Sequence, residues 1–190
     1  MTPQVPGRSE FGPTIDAFDA TADQLLEQLR GHPLADRLFT AASHAGDWSL
    51  IWHVASVTRG LLRRRPDQVI ALAAALGAES LIVNQGIKRL VRRQRPTDVG
   101  DPRYDVRKPS TSAFPSGHAS SAAMAATILI AWDGRRWAPL WVSVAAIVGV
   151  SRAYVRIHHP SDVVGGAVVG LALAALCTPV LRRLAPGVAR

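Results

Sequence analysis

The fold class is decided by an uncharged apolar stretch, VVGGAVVGLALAALCTPVL, which runs from Val163 to Leu181. Its length approaches the roughly 20 residues that an α-helix needs to cross a bilayer. Two further segments approach this length and are also mostly apolar. Gln68 to Ile87 is interrupted only by Glu79, and Trp137 to Ser151 contains no charge. Because a soluble core rarely repeats such segments, the sequence favours an integral membrane protein over a buried helical bundle.

The positive charge of the chain is placed at the ends of its apolar runs. The 190 residues carry a formal net charge of +8, and arginines gather in the segments RGLLRRRP, DGRRW and LRRLAP. This placement is typical of topology signals and contacts with anionic lipid headgroups. We therefore expect membrane lipids as partners and no nucleic acid. The lone Cys177 lies inside the last apolar run and can form no intramolecular disulfide.

The N-terminal part differs in composition from the rest. Met1 to Pro13 contains three prolines and two glycines, which indicates a loose lead-in. From Thr14 to Leu29, apolar residues recur at helical spacing with acidic residues on the other faces, so this helix should lie on the membrane or on the domain. We predict two parts: residues 1–45 with the lead-in and amphipathic or surface helices, and a membrane domain of residues 46–190.

The membrane domain is predicted to be entirely helical. A polar spanning helix is expected near Asp47 to Leu62. Four clearer helices follow, at about Asp67 to Arg92, Ser116 to Trp132, Arg136 to Arg156 and Ser161 to Leu181. The predicted fold class is thus all-α, a membrane-embedded helical bundle with about five spanning helices plus an N-terminal amphipathic helix. Small residues mark one face of the last helix for close packing. They are Gly165, Gly166, Ala167 and Gly170.

Three polar clusters lie at the ends of these helices. They are KRLVRRQRP from Lys88 to Pro96, PSGH from Pro115 to His118, and SRAYVRIHHPSD from Ser151 to Asp162. Each alone has a plain structural explanation, such as topology arginines or a serine-capped turn. The first cluster ends one helix, the second begins the next, and the third joins the last two. All three should therefore meet on one side of the bundle.

Together the clusters have the chemistry of a phosphate site. Lys88, Arg95 and Arg152 bring fixed positive charge, while Ser116 and Gly117 bring hydrogen-bond donors at a helix N-terminus. The glycine also allows the backbone to approach a phosphate closely.

Two histidines add the groups that phosphoryl transfer requires. Asp162 follows His158 by four residues, so it can hold one ring nitrogen and leave the other free to attack. His118 comes from another helix and can protonate a leaving group. No group of His, Cys, Asp and Glu shows metal-ligand spacing, so we expect no metal and no cofactor.

In these three clusters the sequence resembles the type 2 phosphatidic acid phosphatase superfamily, which also includes bacterial acid phosphatases and vanadium haloperoxidases. The resemblance spans about Lys88 to Asp162. It implies that His158 is the nucleophile, Asp162 its partner and His118 the general acid. It also implies five phosphate-binding residues, namely Lys88, Arg95, Ser116, Gly117 and Arg152. His159 falls at a variable position of the motif and receives no role.

The resemblance implies an integral membrane phosphatase that hydrolyses a phospholipid-type or polyprenyl phosphate or pyrophosphate through a phosphohistidine. The alternatives are a non-catalytic lipid-binding protein with the same fold, a vanadate-dependent haloperoxidase relative and a soluble acid phosphatase, against which the apolar runs argue. We expect a multi-pass protein of the cell membrane. Its active site should lie on the extracytoplasmic side, because arginine pairs and triplets in the motif-free loops tend to stay inside.

Overall fold

In the computed structural model, residues 11–97, 101–107 and 109–186 are described, and they form seven main helices without a strand. Residues 1–10 of the predicted lead-in lie outside the described residues. The helices are α1 (Pro13–Glu27), α2 (Pro33–Gly46), α3 (Leu50–Arg63), α4 (Pro66–Leu90), α5 (Gly117–Asp133), α6 (Ala138–Tyr154) and α7 (Pro160–Leu184). The prediction of an all-α fold is confirmed, and the predicted spanning segments match α3 to α7 within a few residues.

Proline sets the start of most of these helices. α1, α2, α4, α6 and α7 each carry a proline at their first or second position. A proline there loses no helical hydrogen bond, and its fixed φ angle already suits the helix. Short 3₁₀ turns, Asp47–Ser49 and Arg135–Trp137, lead into α3 and α6.

Helix α4 changes its winding before it reaches the polar clusters. It is α-helical over Pro66–Ser80, π-helical over Leu81–Ile87, and ends with one α turn, Lys88–Leu90. π segments are rare and are found frequently at functional sites. Here the segment directly precedes Lys88.

Within the described ranges, two helices have the length and composition to cross a membrane. They are α4 and α7, of 25 residues each, with mean hydropathy 1.4 and 2.1 over their most apolar windows. Helices α5 and α6 have 17 residues each. The number of about five spanning helices stays a prediction.

Helix α5 lies at the centre of the bundle and packs closely on α7. A methyl group added at Gly166 would lie 2.3 Å from the carbonyl oxygen of Ser116, and one at Gly170 would lie 2.1 Å from that of Ser120. Both distances are far shorter than a van der Waals contact. The predicted small-residue face of the last helix is therefore confirmed as a packing face.

Helix α1 lies on the domain with its acidic side inward. Asp19 is buried, while Phe18 and Leu25 are 46% and 60% exposed. Asp23 accepts hydrogen bonds from Arg30 at 2.6 Å and from Arg156 at 2.8 Å. The acidic side of α1 therefore holds the helix against the loop between α6 and α7.

Candidate active site

The three polar clusters meet at one end of the bundle. The backbone N–H of Ser116 donates to the carbonyl oxygen of Asp162 at 2.9 Å, which joins the second cluster to the third. Arg95 Nη1 donates to the carbonyl oxygen of Ile157 at 2.8 Å, which joins the first cluster to the third. The fold thus places residues from α4, α5, α6 and α7 around one point.

His158 lies in the loop between α6 and α7 and is almost completely buried. Its Nδ1 faces Asp162 Oδ2 at 3.6 Å, longer than an ordinary hydrogen bond, and its Nε2 lies 3.3 Å from Arg95 Nη1. Burial holds the pKa of His158 well below its usual value, and the charges of Arg95 and Arg152 act in the same direction, although Asp162 raises the pKa. The imidazole is therefore neutral at neutral pH, as a nucleophile must be.

Asp162 is held by two donors that fix its carboxylate. Oδ1 accepts from Arg93 Nη1 at 2.5 Å, and Oδ2 accepts from the backbone N–H of His159 at 2.8 Å. Asp162 and His159 form a capping box at the start of α7. His159, to which the sequence assigned no role, therefore begins the helix that carries Asp162.

Arg93 joins the site to the N-terminal helix α1. Its Nη2 donates to Asp19 Oδ2 at 2.7 Å, and both side chains are almost fully buried. Asp19 also accepts at 2.7 Å from the backbone N–H of Ser161. Sequence reasoning missed these two buried ion pairs, in which Arg93 connects Asp19 to Asp162. The sequence shows only an aspartate in the amphipathic helix and one more arginine in the first cluster, and neither residue type indicates burial.

Three of the five predicted phosphate-binding residues are cations. Lys88 Nζ lies 3.5 Å from Thr111 Oγ1, and Arg95 Nη2 donates to the carbonyl oxygen of Thr111 at 2.9 Å. Arg152 is completely buried and hydrogen-bonds Ser43. Burial lowers the pKa of Arg95 to about 10, so its guanidinium stays charged at neutral pH. Among the described residues, Nε of Arg95 and Nε of Arg152 have no hydrogen-bond partner.

The other two predicted phosphate-binding residues occupy different positions. Gly117 faces the cavity, where an added methyl group would lie 3.8 Å from Lys88 Nζ. Ser116 is fully buried as the N-cap of α5, and its hydroxyl accepts from the N–H of Ala119 at 3.4 Å. Ser116 therefore links the motifs and does not line the cavity.

His118 contacts a second carboxylate, which sequence reasoning missed. Its Nε2 lies 3.2 Å from both Asp47 Oδ1 and the carbonyl oxygen of Ser43. Both are acceptors, so Nε2 carries the proton. Burial raises the pKa of Asp47, but the hydrogen bond from His118 and the nearby positive charges outweigh it and leave that pKa lowered. A methyl group at Gly46 would lie 2.4 Å from the His118 ring, so only glycine allows this approach.

Four of the eight predicted site residues line a cavity of about 430 Å³, whereas Arg95, Arg152 and Asp162, like Ser116, do not line it. Lys88, Gly117, His118 and His158 line one part of it. A second set of polar side chains lines the rest of the polar wall, and the sequence had not identified any of them as site residues. They include Asp47, His53, Glu79, Ser80, Asn84 and Ser121. The cavity is thus larger than a phosphate group requires.

Comparison with known proteins identifies the family. The family model of the PAP2 superfamily matches residues 68–185, which include all eight predicted site residues. The chain belongs to the PAP2 superfamily. The resemblance predicted from the three clusters is therefore confirmed.

Curated PAP2 relatives cover most of the chain. A decaprenylphosphoryl-5-phosphoribose phosphatase of Mycobacterium tuberculosis H37Rv is 35% identical over 73% of this chain and 76% of its own length. The protein of the same description from Mycolicibacterium smegmatis is 35% identical over 78% of this chain and 80% of its own. A lipid A 4'-phosphatase of Bacteroides thetaiotaomicron is 29% identical over 54% of this chain and 48% of its own.

Solved PAP2 structures share the fold. A transmembrane PAP2-type phosphatidylglycerolphosphate phosphatase from Bacillus subtilis superimposes with a TM-score of 0.70 at 22% identity, over 92% of this chain and 89% of that one. Aquifex aeolicus LpxE superimposes with a TM-score of 0.66 at 25% identity, over 84% and 93% of the two chains. Together with apolar α4 and α7, this likeness supports a membrane location.

Proposed function

We propose that this PAP2 protein is an integral membrane phosphatase that hydrolyses a lipid phosphate through a phosphohistidine on His158. One observation carries the proposal. A neutral histidine is held between Asp162 and Arg95, beside a cavity that also presents Lys88 and His118. This arrangement supplies a nucleophile, positive charge for the phosphate oxygens and a proton donor.

The proposed reaction has two steps. In the first, Nε2 of His158 attacks phosphorus and the bond from phosphorus to the lipid oxygen breaks. His118 enters this step as the imidazolium and gives that oxygen the proton of its Nδ1, while its Nε2–H stays bonded to Asp47. In the second, His118 takes a proton from water, the water oxygen bonds to phosphorus, and the bond from phosphorus to Nε2 breaks. Phosphate leaves and both histidines return to their starting forms. Lys88, Arg95 and Arg152 stabilise the charge on the phosphate oxygens, assisted by the helix start at Ser116 and Gly117.

The relatives support a narrower proposal for the substrate class. Relatives with 35% identity are described as decaprenylphosphoryl-5-phosphoribose phosphatases. We infer a polyprenyl or phospholipid-type phosphate monoester as the substrate, with a polyprenyl phosphosugar first among the compounds to test.

The test is phosphate release by the purified protein in detergent. The panel consists of phosphatidic acid, phosphatidylglycerol phosphate, polyprenyl phosphate, polyprenyl pyrophosphate and a polyprenyl phosphosugar phosphate. We expect release from at least one of them in the presence of EDTA, inhibition by vanadate, and no release by His158→Ala. A strict requirement for magnesium would contradict the mechanism. Equal release by His158→Ala, or none from any lipid, would favour a lipid-binding protein without this activity.

The proposal includes the placement of the protein in the membrane. Helices α3 to α7 of the phosphatase domain, residues 46–190, would cross the cell membrane several times, while residues 1–45 add the surface helices. The active site would face away from the cytoplasm, because Arg63, Arg135 and Arg182 lie at the opposite end of the bundle.

Cysteine labelling tests this orientation. In a Cys177→Ala background, an impermeant reagent added to whole cells should label Arg92→Cys at the site end and leave Arg135→Cys unlabelled. The reverse pattern would place the active site in the cytoplasm.

A further inference from the structure

The polar cavity contains a buried carboxylate that the reaction above does not use. Glu79 of α4 is 3% exposed and lines the cavity, and its Oε1 has no hydrogen-bond partner among the described residues. The hydroxyl of Ser120 is nearby, but its Oγ also has no partner among them. A buried carboxylate oxygen without a donor is costly. Its presence on a cavity wall therefore indicates that a ligand supplies the donor.

A second acceptor connects Glu79 to the phosphate centre. Asn84 Nδ2 donates to Ser80 Oγ at 3.0 Å, which leaves the amide oxygen for another partner. A methyl group added at Gly117 would lie 3.7 Å from Asn84 Oδ1 and 3.8 Å from Lys88 Nζ. Asn84 thus lies beside Lys88, one of the predicted phosphate-binding residues, and Glu79 lines the same cavity.

The chemistry of these acceptors restricts what they can bind. Phosphate oxygens are themselves acceptors and carry negative charge, so a carboxylate repels them. An acyl or prenyl tail offers no donor. Hydroxyl groups on the portion of the substrate next to the phosphate ester do offer donors, and a cavity of about 430 Å³ is large enough for a phosphate with a small polyol or sugar.

We propose that Glu79 and Asn84 form a hydroxyl-binding subsite, so that this phosphatase prefers lipid phosphates whose phosphate ester is carried by a sugar or another polyol. The proposal rests on the proposed function and adds its substrate preference. Hydrogen bonds from substrate hydroxyls to Glu79 Oε1 would position the leaving oxygen toward His118, which lines the same cavity.

Two synthetic substrates with the same alkyl chain and the same sugar ring test the subsite. They are dodecyl ribofuranoside 5-phosphate and its 2,3-dideoxy analogue, which differ only in two hydroxyl groups. We expect wild type to prefer the hydroxylated compound by about 10-fold or more in kcat/KM. Glu79→Ala should lower kcat/KM for that compound by about 10- to 100-fold and leave the dideoxy compound within about threefold of wild type. Asn84→Ala should act in the same direction with a smaller effect.

Control variants separate the subsite from a general structural effect. Asp67→Asn removes a half-buried carboxylate at the start of the same helix that pairs with Arg65, and it should change kcat/KM for neither substrate. Glu79→Gln keeps the shape of the side chain and should retain part of the preference. Thermal unfolding in detergent and inhibition by vanadate report whether each variant is folded with an intact phosphate centre.

The outcomes distinguish this proposal from the proposed function. Equal loss on both compounds in Glu79→Ala would overturn the subsite and make Glu79 a charge partner of Lys88. The subsite is also overturned, and Glu79 has no role as a charge partner, if wild type hydrolyses both compounds equally and Glu79→Ala resembles wild type. The phosphatase function stands in that case. If wild type hydrolyses neither compound and none of the lipids in the panel, both proposals fail.

Discussion

Nη1 of Arg95 lies 3.3 Å from Nε2 of His158, and this contact fixes the form of the histidine. An arginine N–H can only donate, so Nε2 accepts and carries a lone pair. The ring proton is then on Nδ1, which faces Asp162. Nε2, the nitrogen next to Arg95, is thus the nucleophilic one. Asp162 faces Nδ1 on the other side of the ring and orients the imidazole.

The buried, neutral state of His158 predicts a pH dependence of stability. In the unfolded chain this histidine binds a proton below about pH 6.5, whereas the folded protein resists it because burial lowers the pKa. The unfolded state then binds more protons, so stability falls as the pH decreases from about 7 to about 5. His158→Asn should make this decline shallower by up to about 1.4 kcal/mol per pH unit. Thermal unfolding in detergent at several pH values measures this decline, with His32→Asn, a substitution of an exposed histidine, as the control. Parallel curves of stability against pH for His158→Asn and wild type would show that His158 does not contribute to the decline.

The two histidines should differ when the covalent intermediate is trapped. His118→Ala should still be phosphorylated by an activated aryl phosphate, because a good leaving group needs little acid assistance, and should then hydrolyse the intermediate slowly. His158→Ala should not be labelled. Rapid-quench trapping under conditions that preserve acid-labile phosphohistidine makes the comparison. Label retained on His158→Ala would mean that another residue is the nucleophile.

Asp47 should act through His118. Asp47→Asn removes the charge that holds His118 Nε2 at 3.2 Å, and we expect a loss of about 10- to 100-fold in kcat with a lipid substrate. With an aryl phosphate, the phosphorylation step should change by less than about threefold, since it requires little protonation. Single-turnover rates for the two substrates provide the measurement. A loss of similar size on both would assign Asp47 a purely structural role.

Adjacent arginines should differ sharply in their effect on stability. Arg93 is buried between Asp19 and Asp162, so Arg93→Ala leaves two buried carboxylates without their partner and should cost about 3–5 kcal/mol. Arg92 is exposed, and Arg92→Ala should stay within about 0.5 kcal/mol of wild type. Unfolding of both variants in the same detergent tests this contrast. Similar stability of the two would show that the buried pairs contribute little.

Two glycines provide a matched pair for the helix contact. A methyl group at Gly170 meets the carbonyl oxygen of Ser120 at 2.1 Å, so Gly170→Ala should destabilise by about 1–3 kcal/mol. At Gly77 a methyl group would meet no atom of the described residues within 4 Å, and Gly77→Ala should be neutral or stabilise by up to about 1 kcal/mol. Equal unfolding temperatures for the two variants would mean that α5 and α7 separate easily.

The sequence predicted the features that depend on local pattern. Apolar runs located α4 to α7, and the order of the helices correctly placed Lys88, Gly117 and His158 at one end. The positions of the helices and the end at which these three residues lie follow from chain direction and helix length, which are local properties.

Residues that contact the site from a distance could not be found in this way. Asp47 approaches His118 only because α2 packs against α6, and Asp19 reaches Arg93 because α1 docks with its acidic side inward. Helical periodicity shows which side of α1 is apolar, but near a membrane an apolar side can also face outward. Pattern alone therefore does not decide which side contacts the protein.

The π-helical segment of α4 sets the rotational phase between two polar residues of the cavity. Glu79 and Lys88 are nine positions apart. In an uninterrupted α-helix, at about 100° per residue, they would point to opposite sides. The wider turn over Leu81–Ile87 brings both onto one wall. Deletion of one residue there, such as Ile82, would place the two residues eight positions apart in a regular α-helix, about 80° from each other and still on one side. Selectivity and catalysis in this protein therefore share one helical register.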